Sequence, residues 1–577
     1  MNAPSRVLVI GGTACGPKTA ARVKRLNPQA QVTILEQSET ISFGACGMPY
    51  YVEGLFEDIN TLIETPVGVR RTKQFFKDCK GVDVHTGTEA TQIDRDNKRV
   101  FARRKDTGEE EEHPYDKLVL ATGARALRPP IPGVDLGRVW TMKASQDAET
   151  LSQSISTQGL RKAVILGAGL IGVEMAEALT KRGLEVTLVE MFDQILPGML
   201  DKEMAMLGAK HLRQQGVDLK LGSKITGFQG ETNVEAVQLE GETIPADMVL
   251  LSAGVKHNDE LAREAGLECY EKGGIKINHF CQTSDPDIYA GGDCVLNGYL
   301  HPILRSPLYV PLGSTANKHG RVIANNIAGH ASTYPGVQCT SICKVFDYTF
   351  SRTGLTEKMA LQEGYSVETM IVSGGDKPHY IPGHAPLVVK LVASQRDRTI
   401  LGAQIVGPGV ADKRIDVAAS AIAFNATLDD LANIDLSYAP PFSPPLDPIT
   451  VAAFGLNNKM DGLANGLPPL KAKEIMDNEP DLVLLDVRGP EEYRQMRLPD
   501  PRPEGCEQRI VHIPLGQLRS RIDEIPRDKK VLAFCKISMR GYEAQRILEA
   551  EGFKDVCFIE GGLVGWPLEV ETGEPQR

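Results

Sequence analysis

The 577-residue sequence lacks any apolar run approaching the ~20 residues needed to span a bilayer. It lacks a charged leader followed by an apolar stretch and a small-residue cleavage site, because Arg6 passes directly into Val7-Leu-Val-Ile10. It lacks an excess of positive charge. The formal net charge of -11 argues against general nucleic-acid binding and against attachment to an anionic membrane. Its eleven cysteines lack the close spacing of a disulfide scaffold, so reduced thiols and a cytoplasmic location are expected. One further absence is the most informative. Cys46, in Ser42-Phe43-Gly44-Ala45-Cys46-Gly47-Met48-Pro49-Tyr50, has no neighbouring cysteine, and the next in sequence is Cys79. A disulfide formed by Cys46 in turnover is therefore mixed, with a substrate thiol.

The length predicts several domains rather than one core. Two segments read as strand–glycine loop–helix–strand units. In the first, Val7-Ile10 precedes Gly11-Gly12-Thr13-Ala14-Cys15-Gly16, a helical pattern runs to about Leu26, and Val32-Leu35 ends in Glu36. In the second, Ala163-Leu166 precedes Gly167-Ala168-Gly169-Leu170-Ile171-Gly172, and the strand Val186-Val189 ends in Glu190. Such loops hold a pyrophosphate at a helix N-terminus, and the acidic residue hydrogen-bonds a ribose hydroxyl. A carboxylate at Glu190, with no arginine in Met191-Phe-Asp-Gln194, favours NADH over NADPH. Thr13 stands at the middle glycine of the first fingerprint, whereas the second is complete.

Tyr115-Asp-Lys-Leu-Val-Leu-Ala121-Thr122-Gly123 and Thr283-to-Asp293, which ends Gly291-Gly292-Asp293, resemble the FAD-domain motifs of two-dinucleotide-binding flavoproteins. In that family the aspartate, here Asp293, contacts the ribityl chain of the flavin. The cofactor set expected on these grounds is Gly11, Gly12, Ala14, Gly16, Glu36, Thr122, Gly123 and Asp293 for FAD. Gly167, Gly169, Gly172, Glu190 and Gly254 complete the cofactor-binding expectation.

Residues from about 5 to 455 resemble the coenzyme A disulfide reductase branch of the pyridine nucleotide-disulfide reductases. The resemblance rests on the first glycine loop with its following Ala-Ala-Arg, then Ser42-Phe43, Cys46-Gly47 and Pro49-Tyr50. It implies that Cys46 lies against the flavin and is reduced by NADH through it. It implies coenzyme A contacts at Arg22, Arg25 and Ser42, and catalytic tyrosines, Tyr380 and Tyr438, contributed by the second subunit of a homodimer. Ala45 stands where the family usually carries asparagine. Cys46 must be a thiolate to attack sulfur, and a helix N-terminus after it, or contact with the flavin, is expected to lower its pKa.

A Gly/Asn/Pro-rich stretch around 456–470 reads as a linker. Beyond it apolar strands alternate with helical patterns, and Cys535-Lys-Ile-Ser-Met-Arg540 directly follows Val531-Phe534. A six-residue loop of this kind presents backbone N–H groups to an anion or a thiolate. With Asp486-Val-Arg488, Glu560-Gly-Gly562 and Trp566, the segment resembles a rhodanese domain, which implies that Cys535 carries sulfane sulfur beside Arg540. Residues 499–508, with Cys506, look inserted before His512. Cys339 and Cys343 have no partners for a zinc site, and no metal is read from the sequence.

The expected architecture is α/β: a two-dinucleotide-binding-domain flavoprotein with a dimerisation domain and a C-terminal rhodanese-like domain. The expected boundaries are 1–150 and 276–332 for FAD, 151–275 for NAD, 333–455 for dimerisation, and 471–577 for the rhodanese-like domain. The resemblance implies NADH-driven reduction of persulfides, polysulfides or coenzyme A disulfide, with small thiols as partners. Two alternatives remain open at this point. One is an NADH peroxidase or oxidase using a Cys46 sulfenic acid, and the other is a sulfurtransferase with a structural flavin.

Overall fold

The computed structural model describes residues 6–300, 307–499 and 510–573. They divide into two compact units, one falling within 1–191 and 223–337, the other within 192–222 and 338–577.

The first unit holds two parallel sheets. One runs in the order Ile288–Ala290, Lys117–Leu120, Arg6–Ile10, Gln31–Leu35 and Asp83–His85. The other includes Glu185–Glu190, Lys162–Leu166, Met248–Leu251 and Val139–Thr141 in that order. Val7 to Ile10 and Ala163 to Ile165 are all buried. Helices and connections cover both faces of such strands, which is why they read as continuous rather than alternating apolar runs. The helices Cys15–Leu26 and Leu170–Lys181 follow the two glycine loops. Both elements thus form where the periodicity places them.

The expected break at 150 is displaced. Val139–Thr141 already pairs with Met248–Leu251, and residue 150 falls inside the helix Ser145–Thr157. A three-residue strand carries too little pattern to be seen in the sequence.

The second unit contains a five-stranded antiparallel sheet in the order Ser341–Val345, Tyr348–Gly354, Ile400–Gly407, Pro386–Ser394 and Val367–Gly375. Cys339 and Cys343 are buried there. A second sheet, wholly parallel, runs Gly466–Leu467, Val556–Ile559, Val531–Phe534, Val483–Asp486 and Ile510–His512. A single hydrophobic cluster joins Met370, Leu391 and Ile449 with Leu485, Ala533 and Phe558.

The 456–470 linker is therefore corrected. The helix Pro448–Met460 runs through its first residues, and Gly466–Leu467 is an edge strand paired with Val556–Ile559. Only 461–465 connects them. Asp447 accepts from the Ile449 N–H and Pro448 opens the helix, a start signal that outweighs the glycine and asparagine content. Cys506 lies outside the described residues.

Candidate active site

The two glycine loops repeat one geometry. A Cβ on Gly11 would stand 2.1 Å from the Ala121 carbonyl oxygen, and one on Gly167 would stand 2.4 Å from that of Ser252. Both glycines also have a positive φ, so no side chain fits there. Glu36 Oε2 accepts from the Gly12 N–H at 2.6 Å, and Glu190 Oε2 accepts from the Ala168 N–H at 2.8 Å. Each carboxylate is buried at the end of its strand and locks the loop that precedes its helix.

Neither following helix has a side-chain cap or an acidic residue in its first turn. Their first amides are left for an anion. Space is open above Gly123 and Gly169. These features fit one dinucleotide at each glycine loop. Thr122 and Asn258 are cross-pinned, Thr122 Oγ1 donating to the Asn258 carbonyl at 2.5 Å and Asn258 Nδ2 donating back at 2.9 Å. Gly254 follows Met248–Leu251 with φ 101°.

Cys46 sits in the single turn Ala45–Gly47, directly before the helix Met48–Glu53. The Ser42 N–H donates to the Gly12 carbonyl at 2.7 Å, and the Gly44 N–H donates to that of Leu62 at 2.8 Å. The cysteine loop is thereby tied to the first phosphate loop. Ser42 has φ 55°, a left-handed conformation that costs a non-glycine residue roughly 1–2 kcal/mol.

Cys46 is solvent-exposed, yet the protein alone does not favour its thiolate. Desolvation by the walls around it, then the negative charges of Glu174 and Asp293, push the thiol up, and Lys143 offsets them only partly. The following helix, of six residues, does not outweigh that desolvation and those carboxylates. Asp293 is engaged as well: its Oδ2 pairs with Lys143 Nζ at 3.1 Å, and its carbonyl accepts from His257 Nδ1 at 3.0 Å.

On the helix Cys15–Leu26, Arg22 Nε donates to Asn325 Oδ1 at 2.7 Å. Burial, then Arg321 and Arg25, pull the Arg22 guanidinium down. Among the described residues none of these three arginines has a carboxylate in ion-pair reach. Three uncompensated cations form a ready anion site. In the second unit, Tyr380 and Tyr438 are 62% and 52% exposed.

The Cys535 loop is built from four segments. Arg540 donates twice to Glu492, at 2.7 and 2.8 Å, and this pairing first of all drops the Glu492 carboxyl to about 2. Arg540 thus braces the loop through its carboxylate partner, and it also interacts with Cys535. Arg488 is buried against Asp486, and His512 Nε2 donates to the Arg488 carbonyl at 2.9 Å while stacking on Tyr493. A Cβ on Gly562 would stand 2.6 Å from the Cys535 carbonyl oxygen, so the Glu-Gly-Gly motif seats the loop. Cys535 itself is buried. Ser538, in the middle of the loop, has φ 85° and a buried Oγ without a hydrogen-bond partner.

The motif of the same triplet also anchors the loop to the antiparallel sheet. Glu560 is fully buried, with Oε1 2.7 Å from Lys459 Nζ and Oε2 accepting from the Ile371 N–H at 2.9 Å. Ser373 Oγ donates to the Gly561 carbonyl at 2.7 Å.

Residues 5–320 match the family described as pyridine nucleotide-disulphide oxidoreductase. The chain belongs to this family. Its dimerisation domain matches residues 340–447, and a rhodanese-like domain matches 469–569. The chain is 37% identical over 448 residues, 78% of its own length and 98% of the relative's, to a Pyrococcus furiosus protein named NAD(P)H sulfur oxidoreductase (CoA-dependent). The structure of a NAD-dependent persulfide reductase from A. fulgidus superposes with a TM-score of 0.91 at 41% identity, covering 97% of this chain and 100% of that one. The reduced CoADR-RHD of Bacillus anthracis gives 0.89 at 34% identity, with 98% of each chain covered. This pyridine nucleotide-disulphide oxidoreductase is thus an α/β enzyme that uses FAD and a nicotinamide nucleotide, with a rhodanese-like domain at its C-terminal side. Among the described residues no helix is long and apolar enough to cross a membrane.

Two groups of the oxidoreductase site escaped the sequence reading. Lys143 carries no motif. Glu174 had a signal: it is an acidic residue within Leu170-Ile-Gly-Val-Glu-Met-Ala, an otherwise apolar turn after a fingerprint. Burial, then Glu177, raises Glu174 to about 7. It is neutral below that pH and a carboxylate above it, so it opposes the Cys46 thiolate only on the alkaline side. Glu174→Gln is expected to shift the Cys46 ionisation in the reduced holoenzyme to lower pH. The pH dependence of the long-wavelength thiolate–flavin absorbance measures this, and an unchanged midpoint would show that Glu174 does not act on the sulfur.

Proposed function

We propose that the enzyme reduces coenzyme A persulfide, polysulfide or coenzyme A disulfide with NADH, using Cys46 as its single redox cysteine and Cys535 as a carrier of sulfane sulfur. The observation that carries this reading is the pairing of a partnerless, exposed Cys46 beside the FAD loop with a second cysteine loop whose Ser538 hydroxyl is orphaned. A terminal persulfide sulfur supplies the acceptor that this hydroxyl lacks.

The Cys46 thiolate attacks sulfur and forms one S–S bond while another breaks. With coenzyme A disulfide the leaving group is coenzyme A thiolate, and Cys46 becomes a mixed disulfide. With coenzyme A persulfide, attack on the outer sulfur releases coenzyme A thiolate and leaves Cys46–S–SH. Two electrons from NADH then return Cys46 to the thiolate, releasing the second coenzyme A thiolate or HS⁻. Bound FAD supplies the passage of those two electrons. Lys143 offsets the negative charge around the sulfur. Arg22 and Arg25, with Arg321, hold the substrate's phosphates, and Ser42 fixes the loop that presents Cys46. In a homodimer, Tyr380 and Tyr438 of each subunit serve the other's Cys46 by donating a proton to the leaving thiolate. Their exposure leaves them available for that role. Glu190 favours NADH.

Steady-state NADH oxidation is compared across coenzyme A persulfide, coenzyme A disulfide, polysulfide, peroxide and oxygen. The sulfur acceptors are expected to turn over fastest, and a faster rate with peroxide would sink the proposal in favour of sulfenic-acid chemistry. Cys535→Ser is expected to impair sulfane acceptors selectively while leaving coenzyme A disulfide reduction intact. Equal losses with both classes would show that the two sites are not separable as proposed.

A further inference from the structure

One cluster in the first unit brings together ligand types that the sulfur chemistry does not use. His85 ends the edge strand Asp83–His85. Glu111 and His113 lie two apart on Glu110–Pro114, and therefore on one face of that strand. Glu111 Oε2 is 3.0 Å from His113 Nε2 and 3.5 Å from His85 Nδ1. The three donor atoms all lie within 4.8 Å of one another, and all three residues are half-buried.

A hydrogen bond accounts for the first of these contacts. The second is too long for a good one, yet both imidazoles converge on the same carboxylate oxygen. Around a tetrahedral cation with bonds of about 2.0–2.1 Å, adjacent ligand atoms sit about 3.3–3.4 Å apart. The two carboxylate–imidazole separations bracket that value. Mg²⁺ and Ca²⁺ favour all-oxygen shells, whereas two imidazoles with one carboxylate suit Zn²⁺, Ni²⁺ or Cu²⁺.

We propose that His85, Glu111 and His113 form a binding site for a divalent transition metal, with solvent completing the coordination. Such an ion would clamp the edge of the first parallel sheet to the strand Glu110–Pro114. The clamp lies next to the FAD site, because the His85 carbonyl accepts from the Glu36 N–H at 2.9 Å. Metal binding is expected to hold Glu36 in place and slow the loss of FAD. That second readout rests on the assignment of Glu36 to FAD, whereas the binding itself does not.

The test titrates the holoenzyme with Zn²⁺ against a chromophoric chelator. A Cys46→Ser/Cys79→Ser background removes the thiols that are exposed among the described residues. One Zn²⁺ per chain is expected, with affinity falling more than about tenfold in His85→Gln and in His113→Gln, since each removes one of three ligands. Far-UV circular dichroism verifies that the variants fold, and His113→Gln decides alone if His85→Gln does not. Zn²⁺ is also expected to slow FAD release from the parent and not from His113→Gln. Equal Zn²⁺ affinity in the parent and in His113→Gln would overturn the site. Unchanged FAD release, with binding lost in the variants, would overturn only the link to Glu36.

Discussion

Replacing Cys46 by serine is expected to lower NADH-driven reduction of every sulfur acceptor by on the order of 10³-fold or more, the usual scale for loss of a covalent nucleophile. Reduction of the flavin by NADH should persist. Gly44, through Leu62, and Ser42, through Gly12, hold the loop by main-chain bonds that a serine does not disturb. Serine also keeps the small volume at a site where a Cβ on the adjoining Gly47 would already stand 2.3 Å from Leu62 Cδ2. The long-wavelength absorbance of the two-electron-reduced holoenzyme should vanish, because it needs a thiolate beside oxidised flavin. Stopped-flow reduction by NADH separates the two half-reactions. If turnover with coenzyme A disulfide survives at near the parent rate, Cys46 is not the redox group.

Replacing Lys459 by methionine should produce the largest loss of stability in the second unit. Lys459 Nζ reaches Glu560 at 2.7 Å, Glu368 at 3.1 Å and the Thr369 carbonyl at 2.9 Å. Glu560 is fully buried, and without the lysine it becomes an uncompensated charge or takes up a proton. Breaking a buried pair in this one-sided way costs about 3–5 kcal/mol. Denaturant unfolding reported by the buried Trp566, in a Trp140→Phe background, measures the loss. A change below about 1 kcal/mol would show that the pair is not structural. The consequence extends to function. Glu560 and Gly561 grip the strand Val367–Gly375, while Gly562 seats the Cys535 loop. Loosening this grip should therefore depress sulfane transfer and spare coenzyme A disulfide reduction.

Much of this is legible in the sequence. The two glycine fingerprints, Glu36 and Glu190 describe local geometry, and the structure repeats that geometry in both loops. The six-residue loop from Cys535 to Arg540 is likewise a continuous stretch of chain. The 461–465 connection was less legible, because glycine and asparagine content masked a helix started by Asp447 and Pro448. What acts on the Cys46 ionisation was only partly legible. Its nearest helix could be seen in the sequence, but Glu174, which acts against it, lies in a different element.

The sequence by itself determined which backbone loops can hold phosphates and thiolates, since glycine tolerance and helix starts are properties of neighbouring residues. Only the tertiary structure decided which charges meet. Lys143 with Asp293, Glu174 with Cys46, Arg22 with Arg321, and Lys459 with Glu560 are partners separated by long stretches of chain. No spacing rule links them, because folding, not sequence proximity, brings them into electrostatic reach, where burial strengthens their interaction.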